Sequence, residues 1–385
     1  IDAVQKAKSG HPGMPMGMAD VASVLFKYHL RFNPENPGWI NRDRFILSAG
    51  HGSMLLYSLL YLTGYKSVSL NDIKNFRQLD SICAGHPEYK KNSGIETTTG
   101  PLGQGLGNSV GIAIGEEIFR KKFGSKIINH KTYVIASDGD LMEGISHEVM
   151  SLAGHLKLKN LIVLFDNNKI SIDGSTSLSV SDNFKKRFEG YGWNFQEING
   201  HNEKLISNAI KKASKSNKPN LISCKTIIGY GSPNKSGKAS SHGSPLGEEE
   251  IELVRKKLNW RWSSFETPKE ILEAWRAIGK KGGLIEKDWE ESFSKISPKI
   301  KAELKEMTKG FNVENLEKII KEEKTKNFSS KPEMATRQCS SAVIETVSSF
   351  LPGLIGGSAD LSGSNNTKTK NSNVISPKNF NGNYI

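Results

Sequence analysis

The spacing of apolar and polar positions along the chain predicts an α/β protein with a parallel sheet. Two short apolar runs, residues 133–136 and 161–165, each lead directly into oxygen-rich residues. Each run is too short for a helix and has the composition of a strand that is buried on both faces. A helical pattern over residues 142–158 lies between them. The three segments therefore predict a βαβ unit, in which a parallel sheet is flanked by helices.

Helical periodicity recurs along the chain and alternates with the two runs and with a third apolar run at residues 221–228. The predicted helices cover residues 18–30, 51–63, 106–123, 203–214 and 247–258. Residues 1–7 have the pattern of a helix interior without an N-terminal cap, so we expect the natural chain to begin earlier.

The last third of the chain differs in composition from the rest. Residues 280–331 are polar and lysine-rich and predict short amphipathic helices, and residues 362–373 predict a loop. A helical run and an apolar segment follow residue 333, which predicts the beginning of a second α/β domain. The predicted organisation is a first domain over residues 1–310, a linker over 311–332, and a truncated second domain over 333–385.

Polar side chains follow the first two predicted strands at the points where those strands end. Asp138 and Gly139 follow the first strand, and Asn168 follows the second. Ligands bind beyond the carboxyl ends of strands in an open parallel sheet, so Asp138 and Asn168 are expected to face one crevice. One carboxylate and one amide suit Mg²⁺, which takes its remaining oxygens from phosphate and water.

Gly139 adds to the expectation of a metal–diphosphate site. A residue without Cβ lets the backbone approach phosphate oxygens, and a helix that follows it adds free N–H groups and a positive dipole end. The alternative is a plain turn at Asp138-Gly139, which is common after a strand. The polar end of the second strand favours the ligand site.

Composition and charge exclude several classes of function. A chain of 385 residues is long enough for two domains, and no apolar run is long enough to span a bilayer. The net charge of +13 comes from lysines dispersed over amphipathic segments, which favours a solvated surface over a nucleic-acid-binding face. The positive charge is expected to attract anionic ligands. Cys83, Cys224 and Cys339 form no metal-ligand pattern, which is typical of a reduced cytoplasmic protein. A lost organelle transit segment is the alternative.

The two strand ends resemble a motif of thiamine diphosphate enzymes, Gly-Asp-Gly followed by Asn about thirty residues later, with Ser137 in place of the first Gly. Six further motifs resemble transketolase, in order and at compatible spacing. They are SGHPG at residues 9–13, DRFILSAGHGS at 43–53, GHPE at 85–88, TTTGPLGQG at 97–105, GDLMEG at 139–144 and SHGSPLG at 241–247. The chain is therefore similar to transketolase over essentially its whole length.

The resemblance implies cofactors and residue roles. The cofactors are thiamine diphosphate and Mg²⁺, for which Ca²⁺ or Mn²⁺ can substitute. The implied metal ligands are Asp138, Asn168 and the carbonyl of Ile170. The implied cofactor contacts are His51, Gly100, Leu102, Gly139, Asn168, Ile172, His242 and Asp360. The implied substrate contacts are His11, His86, His242, Arg337 and Ser364.

The resemblance also implies catalytic roles for His11, His242 and Glu143. Imidazole can donate or accept a proton near neutral pH, which suits the two histidines to reaction with sugar hydroxyls. Glu143 would contact the catalytic carboxylate of the neighbouring subunit in a homodimer whose active sites lie at the interface. Another essential Glu of the family is expected beyond residue 385, so the chain is expected to be incomplete for catalysis.

The implied activity is transfer of a two-carbon ketol unit from a ketose phosphate to an aldose phosphate. Xylulose 5-phosphate is the expected donor, and ribose 5-phosphate or erythrose 4-phosphate the acceptor, in the pentose phosphate pathway or the Calvin cycle. Dihydroxyacetone synthase is the closest alternative, and deoxyxylulose phosphate synthase fits the histidine motifs less well. A non-catalytic cofactor-binding subunit that serves a separate partner is a further alternative.

Overall fold

The computed structural model of the chain describes residues 1–309 and 312–385. These residues form two compact units. One unit comprises Ile1–Glu116 and Ile128–Glu290, and the other comprises Glu117–Ile127 and Glu291–Ile385. The predicted domain boundary between residues 310 and 311 lies outside the described residues. The predicted linker contains an 18-residue helix, Val313–Ser330.

The first unit is built on a parallel sheet, which confirms the predicted fold class. Within the described residues the sheet has five strands in the order β1-β2-β3-β5-β4. The strands are β1 Arg44–Leu47, β2 Thr132–Ser137, β3 Leu161–Asn167, β4 Asn194–Asn199 and β5 Asn220–Lys225. Ser137 pairs with Asp166 in register, so the carboxyl ends of β2 and β3 lie side by side.

The apolar runs predicted β2, β3 and β5 but not the other two strands. β2, β3 and β5 are buried almost throughout, and such strands are nearly continuous in apolar residues. β1 has only four residues. β4 is an edge strand with the mixed sequence NFQEIN and is only partly buried, so it lacks a clear period.

Ten helices belong to the first unit. They are α1 Asp2–Ala7, α2 Gly13–Gly17, α3 Ala19–Tyr28, α4 Ser53–Thr63, α5 Leu70–Lys74, α7 Asp138–Met142, α8 Gly144–His155, α9 Phe184–Gly190, α10 Glu203–Ala213 and α11 Glu248–Lys257. Two more, α6 Gln104–Phe123 and α12 Lys269–Ser294, have residues in both units. The second unit contains α13 Pro298–Lys309, α14 Val313–Ser330, α15 Thr336–Phe350 and α16 Ser362–Asn365.

Several predicted elements differ from those observed. The single helix predicted over residues 142–158 is two helices, α7 and α8, which are separated at Glu143. The short helices predicted after residue 280 are instead parts of longer ones, because α12 has 26 residues and α14 has 18. α16 lies in the predicted loop. β5 ends at Lys225, before the predicted end at residue 228.

Helices cover both faces of the sheet. Leu25 of α3 and Ile210 of α10 belong to the same buried cluster as Leu164 of β3. The next residue of β3, Phe165, points to the opposite face, where its ring centroid lies 4.9 Å from that of Phe184 in α9. No helix among the described residues is long and apolar enough to cross a membrane.

A paired ionic network fixes the amino ends of β1 and β2. Arg31 donates from Nη2 and Nε to Asp43 Oδ1 at 2.9 and 3.3 Å, and the Lys131 N–H donates to the same oxygen at 2.7 Å. Arg42 donates two hydrogen bonds to Glu96, at 3.0 and 2.7 Å. Each of these largely buried charges has a partner of opposite charge, so loss of one partner would leave the other unpaired, which is strongly destabilising.

Candidate functional site

A cavity of about 360 Å³ opens at the carboxyl ends of β2 and β3. Its volume is in the range of small-molecule binding sites, and its position is where ligands bind in open parallel sheets. The residues that line it are His11, Met14, His51, Gly100, Leu102, Ser137, Asp138, Gly139, Met142, Asp166, Asn168, Ile170, Ser171, Ile172, Asp173, Ile228 and His242.

Most of the predicted site residues of the first unit line this cavity. His86 does not, but its ring centroid lies 6.5 Å from that of His11. Glu143 is exposed and lies outside the lining. The other predicted residues belong to the second unit, where each is exposed; they are Arg337, Asp360 and Ser364.

Two buried carboxylates lie at the floor of the cavity. Asp138 is 4% exposed, and its Oδ2 has no hydrogen-bond partner among the described residues. Burial and the nearby charge of Asp166 raise the pKa of Asp138 to about 7. Burial raises the pKa of Asp166 to about 6. A divalent cation at this point would favour the ionised form of both carboxylates.

Asn168 lies where β3 enters a tight hairpin. Its Nδ2 donates to Asp166 Oδ2 at 2.8 Å, and its Oδ1 accepts the Ile170 N–H at 2.9 Å. An amide oxygen has two lone pairs, so Oδ1 keeps one for a cation. The Ser171 N–H donates to the Gly174 carbonyl at 2.7 Å, which places Ile172 at the hairpin tip.

Ile172 presents apolar surface at this hairpin tip. Its side chain is 62% exposed and forms part of the cavity wall. A large apolar side chain in this position can pack against the apolar part of a ligand.

Three imidazoles, those of His11, His51 and His242, also line the cavity, and we call them the histidine cluster. The ring centroids of His11 and His51 are 5.1 Å apart, those of His51 and His242 are 5.2 Å apart, and those of His11 and His242 are 5.8 Å apart. Burial and the neighbouring imidazoles lower the pKa of His11 to about 4 and that of His51 to about 3. Burial also lowers the pKa of His242.

These rings are therefore neutral at physiological pH, and each can donate at one nitrogen and accept at the other. The Nδ1 atoms of His11 and His242 are buried and have no hydrogen-bond partner among the described residues. Burial and the charge of Arg77 lower the pKa of His86, although that residue is exposed. The cluster thus offers neutral donors and acceptors to a polar ligand.

Gly100 and Gly139 allow side chains to approach the cavity closely. A Cβ on Gly139 would lie 2.9 Å from Cδ1 of Leu102, so the absence of a side chain there allows Leu102 to pack against α7. Gly100 has a φ of +153°, and a Cβ there would lie 3.3 Å from the ring of His86. Both glycines therefore have a packing role within the protein.

The predicted position of Glu143 inside one continuous helix is wrong. Glu143 has an extended backbone (φ −63°, ψ 141°) between α7 and α8. α7 begins at Asp138 because Ser137 and Asp140 form a reciprocal capping box around its first turn, and it ends at the extended Glu143. Ser137, where the family motif has Gly, thus caps α7. A helix of five residues contributes only a small dipole, so the expected dipole contribution is not available from α7.

Sequence reasoning missed Asp140 and Asp166. Both carboxylates are fully buried, and an Asp that directly follows a buried apolar run was the available signal for Asp166. Ser48, which donates to Asp140, was missed because β1 was not predicted. No group of three or more His, Cys, Asp or Glu residues in the described part of the chain is arranged to hold a metal. A cation in the cavity would therefore need further oxygens from a ligand.

The parallel sheet and the cavity at its carboxyl ends place the protein among α/β proteins with an open, ligand-binding sheet. Residues 1–315 match the profile of the family described as transketolase, thiamine diphosphate binding domain. The chain is 49% identical over 386 residues to the transketolase of Rhodobacter capsulatus, covering 100% of this chain and 57% of that protein. It is 48% identical to transketolase 1 of Escherichia coli, covering 100% of this chain and 59% of the relative.

Solved structures agree with the sequence comparison. The transketolase of Campylobacter jejuni superimposes with a TM-score of 0.90 at 42% identity, over 100% of this chain and 58% of that one. The transketolase of Pichia stipitis in complex with sedoheptulose 7-phosphate also gives 0.90, at 39% identity and the same coverage. The chain belongs to the transketolase family. It spans 57–59% of the length of the curated relatives named above.

Proposed function

We propose that the chain is part of a transketolase that moves a two-carbon ketol unit between sugar phosphates. The donor is a ketose phosphate such as xylulose 5-phosphate, and the acceptor is ribose 5-phosphate or erythrose 4-phosphate, in the pentose phosphate pathway or the Calvin cycle. The observation that carries the proposal is that Asp138, Asn168 and the histidine cluster line the same cavity. The family match supports the choice of reaction.

The residues of the cavity fit a metal-bound diphosphate. Asp138 has an unpaired buried oxygen and a second carboxylate nearby, which is the chemistry that a hard divalent cation compensates. Asp138, Asn168 and the carbonyl of Ile170 would hold Mg²⁺, and Ca²⁺ or Mn²⁺ could replace it. The scarcity of further protein ligands agrees with a cation that takes its remaining oxygens from phosphate and water.

Other cavity residues would hold the organic part of thiamine diphosphate. His51, His242 and the backbone of Gly139 would lie near the diphosphate. Ile172 would pack against the thiazolium ring through its exposed side chain. The backbone of Gly100 and the side chain of Leu102 would meet the aminopyrimidine.

Thiamine diphosphate, when bound, supplies the nucleophilic carbon that takes the two-carbon unit from the ketose. His11 and His242, which both line the cavity, would exchange protons with the carbonyl and hydroxyl oxygens of the sugar. Their lowered pKa values keep both rings neutral, so each can act as donor or acceptor. His86, at the exposed side of the cluster, would bind the hydroxymethyl end of the donor.

The remaining roles lie outside the cavity. Arg337 and Ser364 would bind the terminal phosphate of the substrate, for which the planar Arg side chain is well suited. Asp360 and Glu143 would lie at the subunit interface of a homodimer, Asp360 near the cofactor and Glu143 against the partner's catalytic carboxylate. All four residues are exposed and therefore accessible to such contacts.

We also propose that residues 1–310 form the diphosphate-binding domain, 311–332 a linker and 333–385 the start of the pyrimidine-binding domain. The family match over residues 1–315 supports the first of these divisions. A cytoplasmic location agrees with the three cysteines, all of which are free thiols.

The test is a ketol-transfer assay, with xylulose 5-phosphate and ribose 5-phosphate, of the whole transketolase of which this chain is proposed to be part. We expect product only when both thiamine diphosphate and Mg²⁺ are present, loss of activity after dialysis against EDTA, and recovery with Mg²⁺, Ca²⁺ or Mn²⁺. Calorimetry should show Mg²⁺-dependent binding of thiamine diphosphate. The absence of any cofactor-dependent product would contradict the proposed reaction.

A further inference from the structure

Three backbone segments that line the cavity meet at one buried carboxylate, that of Asp140. The side chain is fully buried. Its Oδ1 accepts the Ser48 Oγ–H at 2.7 Å and the Gly103 N–H at 2.9 Å. Its Oδ2 accepts the N–H and the Oγ–H of Ser137, each at 2.9 Å. We call this arrangement the Asp140 clasp: the Asp140 carboxylate and its four donors on Ser48, Gly103 and Ser137.

Each donor belongs to a segment that carries a residue of the cavity wall. Ser48 follows β1 and directly precedes the turn that contains His51. Gly103 follows Leu102, and Ser137 precedes Asp138. The three segments are distant in sequence, since Ser48 and Gly103 lie 92 and 37 positions before Asp140.

Aspartate is electrostatically unfavourable beside a site for a diphosphate, because like charges repel. Burial also disfavours the charged form and raises the pKa of Asp140, whereas hydrogen bonds from Gly103, Ser137 and Ser48 lower it. A buried carboxylate is retained at low free-energy cost only when several donors satisfy it. The four donors around Asp140 therefore explain how a carboxylate can be kept close to a site for an anionic ligand.

We infer that Asp140 is a positioning residue, which holds the segments of His51, Leu102 and Asp138 in the arrangement that binds the cofactor. This inference rests on the proposed function. A carboxylate with four donors has fixed geometry, so the loss of one donor loosens the relation between segments that are otherwise far apart in the chain. Asp140 itself is not among the residues that line the cavity, so it acts on the ligand only through the segments that it holds.

The test compares two serine-to-alanine substitutions in the whole protein of which this chain is proposed to be part. Ser48→Ala removes one donor of the Asp140 clasp. Ser109→Ala is the matched control, because Ser109 is equally buried but donates to the Leu106 carbonyl within α6, at 2.6 Å. For Ser48→Ala we expect the Kd for thiamine diphosphate at saturating Mg²⁺ to rise about tenfold, with kcat at saturating cofactor within about twofold of wild type. Ser109→Ala should bind as wild type does.

Two further measurements separate positioning from simple loss of stability. Hydrogen exchange of the Gly103 amide should accelerate in Ser48→Ala and not in Ser109→Ala, because this N–H donates directly to Asp140. In an Asp140→Asn background, Ser48→Ala should change the Kd by less than about twofold, since residues in one network are not additive.

The outcomes distinguish this inference from the proposed function. If the wild type binds the cofactor and Ser48→Ala binds it with the same affinity, the inference is overturned and the proposed function stands. A lower unfolding temperature of Ser48→Ala with an unchanged Kd would show a purely structural contact and would also overturn it. Wild type without cofactor binding would overturn both.

Discussion

At the scale of single residues, the cavity differs from the rest of the molecule in its unpaired polar atoms. Buried polar groups in folded proteins almost always have hydrogen-bond partners. Among the described residues Asp138 Oδ2 and the Nδ1 atoms of His11 and His242 are buried without one, and all three residues line the same cavity. Such atoms lower the stability of the ligand-free protein, and they become satisfied when a ligand supplies the hydrogen-bond or metal partner.

Replacing Asp138 should therefore separate stability from binding. Asp138→Asn removes one of two neighbouring buried carboxylates, so we expect the unfolding temperature of the metal-free protein to rise by about 1–3 °C. The same change removes a metal ligand, so the Kd for thiamine diphosphate with Mg²⁺ should rise about 100-fold or more. Differential scanning fluorimetry and calorimetry measure the two effects.

Asp80→Asn is the control for this pair of measurements. Asp80 is exposed and has a φ of +60°, a conformation that Asn also adopts readily. Neither quantity should change in the control. A lower unfolding temperature in Asp138→Asn would show that the carboxylate stabilises the free protein.

The histidine cluster predicts a stability that depends on pH. The pKa of His51 is about 3 and that of His11 about 4 in the folded protein, against about 6.5 in an unfolded chain. Between these values the unfolded state binds more protons, so this contribution to the free energy of unfolding should fall as pH drops from about 7 and level off only below about 3, the pKa of His51.

Denaturant titrations at several pH values test this dependence. His51→Gln should flatten the curve between pH 7 and 4, because glutamine does not titrate. His155→Gln, at the exposed end of α8, should leave the slope as in wild type. Equal slopes in wild type and His51→Gln would contradict the expected role of burial.

At the scale of elements, the sequence predicted those with a strong period. β2, β3 and β5 were predicted from their apolar runs, and α3, α4, α6, α10 and α11 from periodicity, whereas α12 and α14 were predicted only as short helices. β1 and β4 were missed because β1 has only four residues and β4 is a partly buried edge strand without a clear apolar period. The break at Glu143 was missed because a single residue with an extended backbone between two helices does not change the apolar period.

The same limits apply to the candidate site. The strand-end rule brought Asp138 and Asn168 together from sequence alone, and the structure places both in one cavity. The histidines come from segments that are distant in the chain, and only their motifs associated them with the site. Ser48 and Asp140 lie within two of the family motifs, but the resemblance implied no role for either residue, and their contact depends on how β1 pairs with β2.

Two glycines of α6 should respond oppositely to alanine. A Cβ on Gly105 would lie 2.5 Å from the Cα of Ser48, a backbone atom that cannot move without shifting β1. Gly105→Ala should therefore destabilise the protein by about 1–3 kcal/mol. Gly111 is exposed with no atom near its Cβ position, so Gly111→Ala should stabilise by about 0.5–1 kcal/mol. Urea denaturation measures both, and equal changes would contradict the packing argument.

At the scale of the whole molecule, motif order along the chain predicted the family, whereas composition indicated only a globular protein. The cavity residues all belong to the first unit, and Arg337, Asp360 and Ser364 belong to the second. The division of the chain into domains remains a prediction, since its boundary falls at residues that the structure does not describe.

The net charge of +13 predicts a salt-dependent affinity for anionic substrates. Attraction between the chain and a sugar phosphate is screened by ions, so the KM for ribose 5-phosphate should rise about two- to fivefold between 50 and 300 mM salt. The kcat should stay constant. Steady-state kinetics with an uncharged aldehyde acceptor provide the control, and a KM that rises equally for both acceptors would contradict an electrostatic origin.

The paired charges at the amino ends of β1 and β2 have a consequence for large mutational surveys. Substitution of Arg31 or Asp43 leaves the other charge of the ion pair without a counterion. Such variants should therefore be depleted in any screen that scores cellular abundance. Substitution of Asp138 at the other end should leave abundance intact and be lost only under selection for growth. Positions where substitutions reduce growth but not abundance should therefore lie at the carboxyl ends of the strands.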